Sequence, residues 1–116
     1  MEDRFSQQLK KGVLEMLVLK LLCEEPSYGY ELMSRLRERS QGMFVLKEGT
    51  LYPILYRLED DGMISARWSQ GEGRNSPKKF YEATERGLQE NQSRKAQWFQ
   101  FQLTVNSFYR EETENE

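Results

Sequence analysis

The sequence predicts a mainly α fold of the α+β class, and three observations carry that expectation. Four stretches show apolar residues at helical three- and four-residue spacing. Two short runs, Met63 to Ser69 and Lys78 to Ala83, alternate apolar and polar positions as strands do. Between those runs lies a Gly-, Asn-, Ser- and Pro-containing linker, Gln70 to Pro77, too long for a two-residue hairpin turn.

The first helix is expected from Phe5 to Leu22. After Gly12 it is apolar nearly all round (Val13, Leu14, Met16, Leu17, Val18, Leu19, Leu21, Leu22), which calls for burial on most sides and, in so small a domain, for help from a second chain. Pro26 ends it. Ser27 is a candidate N-cap for a second helix, Tyr28 to Arg39, with Leu32, Met33 and Leu36 inward and Arg35, Arg37 and Arg39 outward near its C-terminal end. Met43 to Leu46 reads as one short strand after the turn at Ser40-Gln41-Gly42.

Gly49 to Gly62 is the most informative stretch. Leu51, Ile54, Leu55 and Leu58 define one buried helical face, while Thr50, Tyr52, Pro53, Tyr56 and Arg57 occupy the other. Thr50 is the expected N-cap, Pro53 belongs in the first turn, and Gly62 is the stop. The outer face can hydrogen-bond, stack and neutralise a phosphate, which suits a helix that reads a DNA groove and, equally, an ordinary surface helix with two incidental tyrosines. Arg57 lies late in the helix, where phosphate contact or pairing with Asp60 or Asp61 is as open as base reading.

In the first strand Ile64, Ala66 and Trp68 share a face opposite Ser65, Arg67 and Ser69; in the second, Tyr81 and Ala83 oppose Phe80 and Glu82. The linker carries Arg74 and is flanked by Lys78 and Lys79, cations placed to meet a phosphate backbone. Thr84 is an N-cap candidate for a final helix from Glu85 to about Arg110. Trp98, Phe101, Val105 and Phe108 form one stripe on it, and Ala96, Phe99 and Leu103 an adjacent one. Docking of this surface on a second subunit, rather than back on the same chain, is the expected outcome. The acidic residues after Arg110 are expected to form a disordered tail.

Composition narrows the function classes. The chain of 116 residues has no histidine and one cysteine, Cys23, in an apolar stretch. The commonest general base and metal ligand are therefore missing, with every Ser–His or Cys–His pair; no enzyme is expected, and no cofactor. The lone thiol and the acidic N-terminus, which lacks an apolar signal region, point to the cytoplasm, and no apolar run is long enough for a membrane. The net charge of −2 is a weak guide to partners. Of 19 acidic residues four fall after Arg110, leaving 15 against 17 basic ones, or +2, for residues 1–110.

The order helix, helix, short strand, helix, two-stranded hairpin with a long tip, long helix is that of a winged helix-turn-helix with a long C-terminal dimerisation helix. The chain divides accordingly into a DNA-binding unit at 1–83, a dimerisation helix at 84–110 and a tail at 111–116. It resembles the PadR family of bacterial transcriptional regulators in its short form. The resemblance rests on Lys11-Gly12-Val13-Leu14-Glu15, Tyr28-Gly29-Tyr30-Glu31-Leu32, Gly49-Thr50-Leu51-Tyr52-Pro53, Arg57-Leu58-Glu59, Gly62-Met63-Ile64, Lys79-Phe80-Tyr81 and Thr84-Glu85-Arg86-Gly87. Phe80 stands where the family usually has tyrosine, and Ala83 where it has leucine.

The resemblance implies a homodimer that binds a palindromic operator on double-stranded DNA, most often as a repressor. It implies that Tyr28 and Tyr30 support the reading surface, Tyr28 touching phosphate, that Thr50, Tyr52, Pro53, Tyr56 and Arg57 form the groove face, and that Arg74, Lys78 and Lys79 are wing contacts. In several relatives a planar aromatic or cationic effector bound between the subunits releases the DNA. By analogy Trp98 and Phe101 would line such a cavity, with Leu9, Val13 or Met16 opposite; the alternative is that this stripe is simply the interface core. A winged-helix module for protein interaction, without DNA function, is the second reading.

Overall fold

The computed structural model of the chain describes residues 3–71 and 76–114, with side chains through Arg110. The elements run α1 (Arg4–Glu24), β1 (Ser27–Tyr28), α2 (Gly29–Arg39), α3 (Glu48–Asp60), β2 (Ile64–Trp68), β3 (Lys79–Ala83) and α4 (Glu85–Glu114).

Asp3 caps α1 by accepting a 2.8 Å hydrogen bond from the Ser6 N–H. Full burial is confined to its second half, at Val18, Leu19, Leu21 and Leu22, whereas Val13, Leu14, Met16 and Leu17 are only half covered. Ser27 is not a helix cap. It is a buried strand residue, paired with Tyr81 across β1 and β3, and its hydroxyl accepts from the Arg35 guanidinium. Arg35 likewise departs from the outward position expected of it. It reaches back to the end of α1, where it donates to the Leu21 carbonyl at 3.0 Å and lies 3.5 Å from Glu24 and from Glu25. The Leu21 carbonyl, which already accepts from the Glu25 N–H at 3.3 Å, thereby gains a charged donor at the helix end.

Met43 to Leu46 forms no strand. The sheet has three strands in the order β1-β3-β2, so the edge of β3 that a further strand would use is already taken by Ser27 and Tyr28. The segment's backbone is satisfied by side chains instead: the Lys10 ammonium donates to the Met43 carbonyl, and the Phe44 N–H donates to the Ser40 hydroxyl. Leu46 is buried, while Met43 and Val45 are exposed.

The α3 helix starts earlier than its residues suggest. Lys47 is the N-cap, Thr50 lies inside the first turn, and Pro53 is an interior residue. The missing Pro53 N–H leaves the Gly49 carbonyl without its helical donor. Gly49 is exposed, so that carbonyl remains open to solvent. Gly62, with φ of 74°, ends the helix as expected, and the Met63 N–H returns to the Leu58 carbonyl at 2.9 Å.

β2 and β3 pair antiparallel in the register Ile64↔Ala83, Ala66↔Tyr81 and Trp68↔Lys79. The ladder is extended by the Ser69 N–H donating to the Lys78 carbonyl at 2.8 Å. Thr84 then caps α4 as expected, accepting from the Gly87 N–H at 3.1 Å while its own hydroxyl donates to the Gly62 carbonyl at 2.6 Å. One side chain therefore ties the end of α3 to the start of α4. The core of Val18, Leu19, Leu22, Leu32, Leu51, Leu55, Leu58, Ile64 and Tyr81 joins α1, α2 and α3 to the sheet. α4 continues beyond it, and the chain measures 66 × 34 × 20 Å. The helix reaches Glu114, four residues past its expected end at Arg110; the stretch holds no Gly or Pro to stop it, and Asn115 and Glu116 lie outside the described residues.

Candidate nucleic-acid interface

The apolar pattern of α3 places its outer face. Leu51, Ile54, Leu55 and Leu58 are buried, which leaves Gly49, Pro53, Tyr56 and Asp60 directed away from the core. Thr50 is exposed on one flank. Tyr52 sits on the other, half buried and turned toward the start of α2, where its hydroxyl would lie 2.6 Å from a Cβ added at Gly29. Only glycine leaves room for that phenol. The Tyr52 and Tyr56 rings are 6.4 Å apart.

The sheet adds cations to this aromatic surface. Lys78 Nζ stands 4.3 Å above the Tyr28 ring, whose edge-on partner at 5.5 Å is Phe80. Phe80 in turn carries the Arg67 guanidinium 5.8 Å from its centroid, so the departure from tyrosine at this position preserves a ring contact. Lys79 Nζ lies 5.4 Å from the Tyr81 ring. Burial pushes the Tyr81 phenol above its ordinary pKa, with Lys79 opposing the shift. Tyr28, Tyr30, Tyr52, Tyr56, Trp68, Lys78 and Lys79 together line an open hollow of about 470 Å³ between the start of α2, α3 and the root of the wing. The hollow offers hydroxyls, ring faces and ammonium groups, a set suited to a sugar–phosphate backbone. Among the described residues no group of His, Cys, Asp or Glu could hold a metal ion.

One expected contact is placed differently, and one is not described. Arg57 is not free on the groove face: its Nε donates to Glu15 of α1 at 3.2 Å, rather than to Asp60 or Asp61. Arg74 lies outside the described residues.

A second hollow, of about 600 Å³, opens between α1 and α4 and brings together Leu9, Val13, Met16, Trp98 and Phe101. The Trp98 and Phe101 rings stack 6.1 Å apart. Glu15 and Arg94 supply its charged wall. Val105 and Phe108 are not part of it; they lie farther along α4, exposed with every other side chain from Phe99 to Arg110.

Residues 18–93 match the model of the transcriptional regulator PadR-like family, a span that includes α2, α3, both hairpin strands and the start of α4. The chain belongs to the PadR-like family of transcriptional regulators. It is therefore a DNA-binding regulator and not an enzyme. Its fold is shared with a PadR-like transcription factor of Bacteroides fragilis, at a TM-score of 0.73 and 33% identity, covering 91% of this chain and 99% of that one. An uncharacterised protein of Lysinibacillus sphaericus is 32% identical over 77 residues, 66% of this chain and 70% of its own. The negative transcriptional regulator PadR of Bacillus subtilis is 33% identical over 78 residues, 67% of this chain but only 42% of that protein. This PadR-family chain thus spans less than half of the Bacillus regulator's length. Among its described residues no helix is long and apolar enough to cross a membrane.

Sequence reasoning missed three participants in this PadR-family surface. Trp68, placed on one face of its strand with Ile64 and Ala66, is 67% exposed. Glu15, quoted only within a motif, joins α1 to α3 and α4. Gly29 makes room for Tyr52. A Tyr-Gly-Tyr motif signals that a glycine is needed, but the side chain it makes room for is 23 residues away.

Proposed function

We propose that this regulator is a homodimer that binds a palindromic operator and represses transcription, with a small planar aromatic or cationic effector relieving repression. The observation that carries the DNA reading is the hollow lined by Tyr30, Tyr56, Trp68 and Lys78 at the outer face of α3, on which Thr50 and Pro53 are also exposed. In a twofold dimer two such faces would enter successive major grooves, about 34–36 Å apart on one side of the duplex. Thr50, Tyr52 and Tyr56 would set base contacts and register, and Lys78, Lys79 and Arg74 would add salt-dependent affinity. No Asn or Gln lies on α3, so sequence-dependent DNA shape would carry much of the specificity. The Bacillus subtilis relative's description as a negative regulator supports repression.

The dimer is supported by α4, whose exposed Phe101, Leu103, Val105 and Phe108 would form an apolar patch on a monomer. The effector is supported by the hollow between α1 and α4, where the Trp98–Phe101 ring pair could stack on a planar compound and the Glu15 carboxylate could meet a positive charge. The deciding experiment is selection of bound duplexes from a random pool, with sedimentation equilibrium of the same protein and of Phe108→Glu. A palindromic consensus and a dimer that Phe108→Glu weakens are expected. A monomer, or no enriched duplex, contradicts the proposal. Release of the selected DNA by small aromatics, followed through tryptophan fluorescence, tests the effector.

A further inference from the structure

Trp68 is the last residue of β2 and stands directly opposite Lys79. Alternation places it on the same face as Ile64 and Ala66, the face packed toward α3. Burial along that face fades from Ile64, at 2%, through half-covered Ala66 to Trp68, at 67%. The strand therefore carries a large indole past the edge of its own core and holds it over the hollow shared by Tyr28, Tyr52, Tyr56 and Lys79. An apolar side chain of this size left beside tyrosines and ammonium groups, at the root of the wing, has the character of a contact residue. Its ring offers a broad apolar face, and its Nε1–H is a hydrogen-bond donor.

We infer that Trp68 is a DNA-contacting residue of this regulator, packing its ring on a deoxyribose of the backbone at the wing root and donating its N–H to the adjacent phosphate. The inference rests on the DNA reading proposed above and adds to it an uncharged positioning contact. Lys78 and Lys79 attract the duplex through charge, an effect that weakens with salt. Trp68 acts by removing apolar surface from water and by one neutral donor, so it fixes the distance between wing and backbone without adding to the salt dependence. Because the contact is to sugar and phosphate, it favours no base.

The test compares wild type, Trp68→Ala and Trp68→Phe in titrations of a mixed-sequence linear duplex and of a selected operator, each across a series of KCl concentrations. Trp68→Ala is expected to weaken both by roughly tenfold, the scale of burying one aromatic ring. The slope of log affinity against log salt is expected to match the wild type, and Trp68→Phe should fall between the two. Duplex should quench the wild-type tryptophan fluorescence, and that quench should disappear in Trp68→Phe, which retains Trp98. Thermal unfolding of each variant confirms that an exposed side chain has been exchanged without loss of fold. Affinity of Trp68→Ala within twofold of wild type, or a quench that persists in Trp68→Phe, overturns the assignment while leaving the DNA reading intact. A wild-type protein that shows no salt-dependent binding to any duplex overturns both.

Discussion

Arg57 of α3 donates through Nε to the Glu15 carboxylate of α1 at 3.2 Å, and the second oxygen of that carboxylate lies 3.9 Å from Arg94 of α4. Glu15 thus joins α3 to the wall of the hollow lined by Trp98. Arg94 is held further by Glu90 at 3.2 Å. The arginine of α3 that the sequence offers for phosphate contact is committed to the protein's own framework.

The first prediction follows from that pairing. Arg57 is exposed, so a double-mutant cycle of Arg57→Ala with Glu15→Ala should give a coupling below about 1 kcal/mol that shrinks as salt is added. Duplex titrations of Arg57→Ala should keep the wild-type salt slope. A slope lower by about one unit would mean that Arg57 leaves Glu15 to meet a phosphate.

For the wing, Lys78→Ala combined with Lys79→Ala should weaken binding to all duplexes. The magnitude of the salt slope should fall by about two units, roughly 0.9 for each phosphate neutralised. Filter binding or anisotropy across a salt series measures it. An unchanged slope would remove both lysines from the interface.

Gly87 tests the junction of the reading unit and α4. A Cβ at this position would lie 2.0 Å from the Met63 carbonyl oxygen and 3.0 Å from its carbonyl carbon, both backbone atoms. The same carbonyl accepts from the Thr84 N–H at 3.0 Å, so it is not free to withdraw. Gly87→Ala should destabilise the protein by about 1–3 kcal/mol or more, read from urea or thermal unfolding. Wild-type stability in Gly87→Ala would show that α4 is not pressed against Met63 in solution.

Stability should decline on the alkaline side. Burial raises the Tyr81 phenol above its ordinary 10.0 and the Cys23 thiol above its ordinary 9.0. Both groups hold their proton more tightly when folded. Their contribution is therefore complete below the unfolded values and is lost as pH rises through the folded ones. Urea midpoints should be flat near neutrality and fall from about pH 9 upward, less steeply in Tyr81→Phe. A decline equally steep in Tyr81→Phe would assign it to other groups.

Much of this architecture is legible in the chain. The face of α3 follows from Leu51, Ile54, Leu55 and Leu58, its end from Gly62, the start of α4 from Thr84, and the two hairpin strands from alternation, because each depends on residues close in sequence. The errors share the opposite cause. Ser27 has the chemistry of a cap, yet β3 recruits it as a strand partner. Met43 to Leu46 has strand composition, yet β3 is already paired on both sides, by β1 and β2. Arg35 has the composition of a solvent-facing cation, yet distant backbone and carboxylate groups claim it.

By itself, then, the sequence determined the class of fold and the register of its apolar faces, since periodicity and capping act over a few residues. Only the tertiary structure decided which polar groups remain available on those faces. It turned Arg57 toward Glu15, folded Tyr52 over Gly29 and left Trp68 bare at the wing root. These outcomes depend on which helix or strand edge lies within about 4 Å, and contacts between elements far apart in the chain leave no local signature.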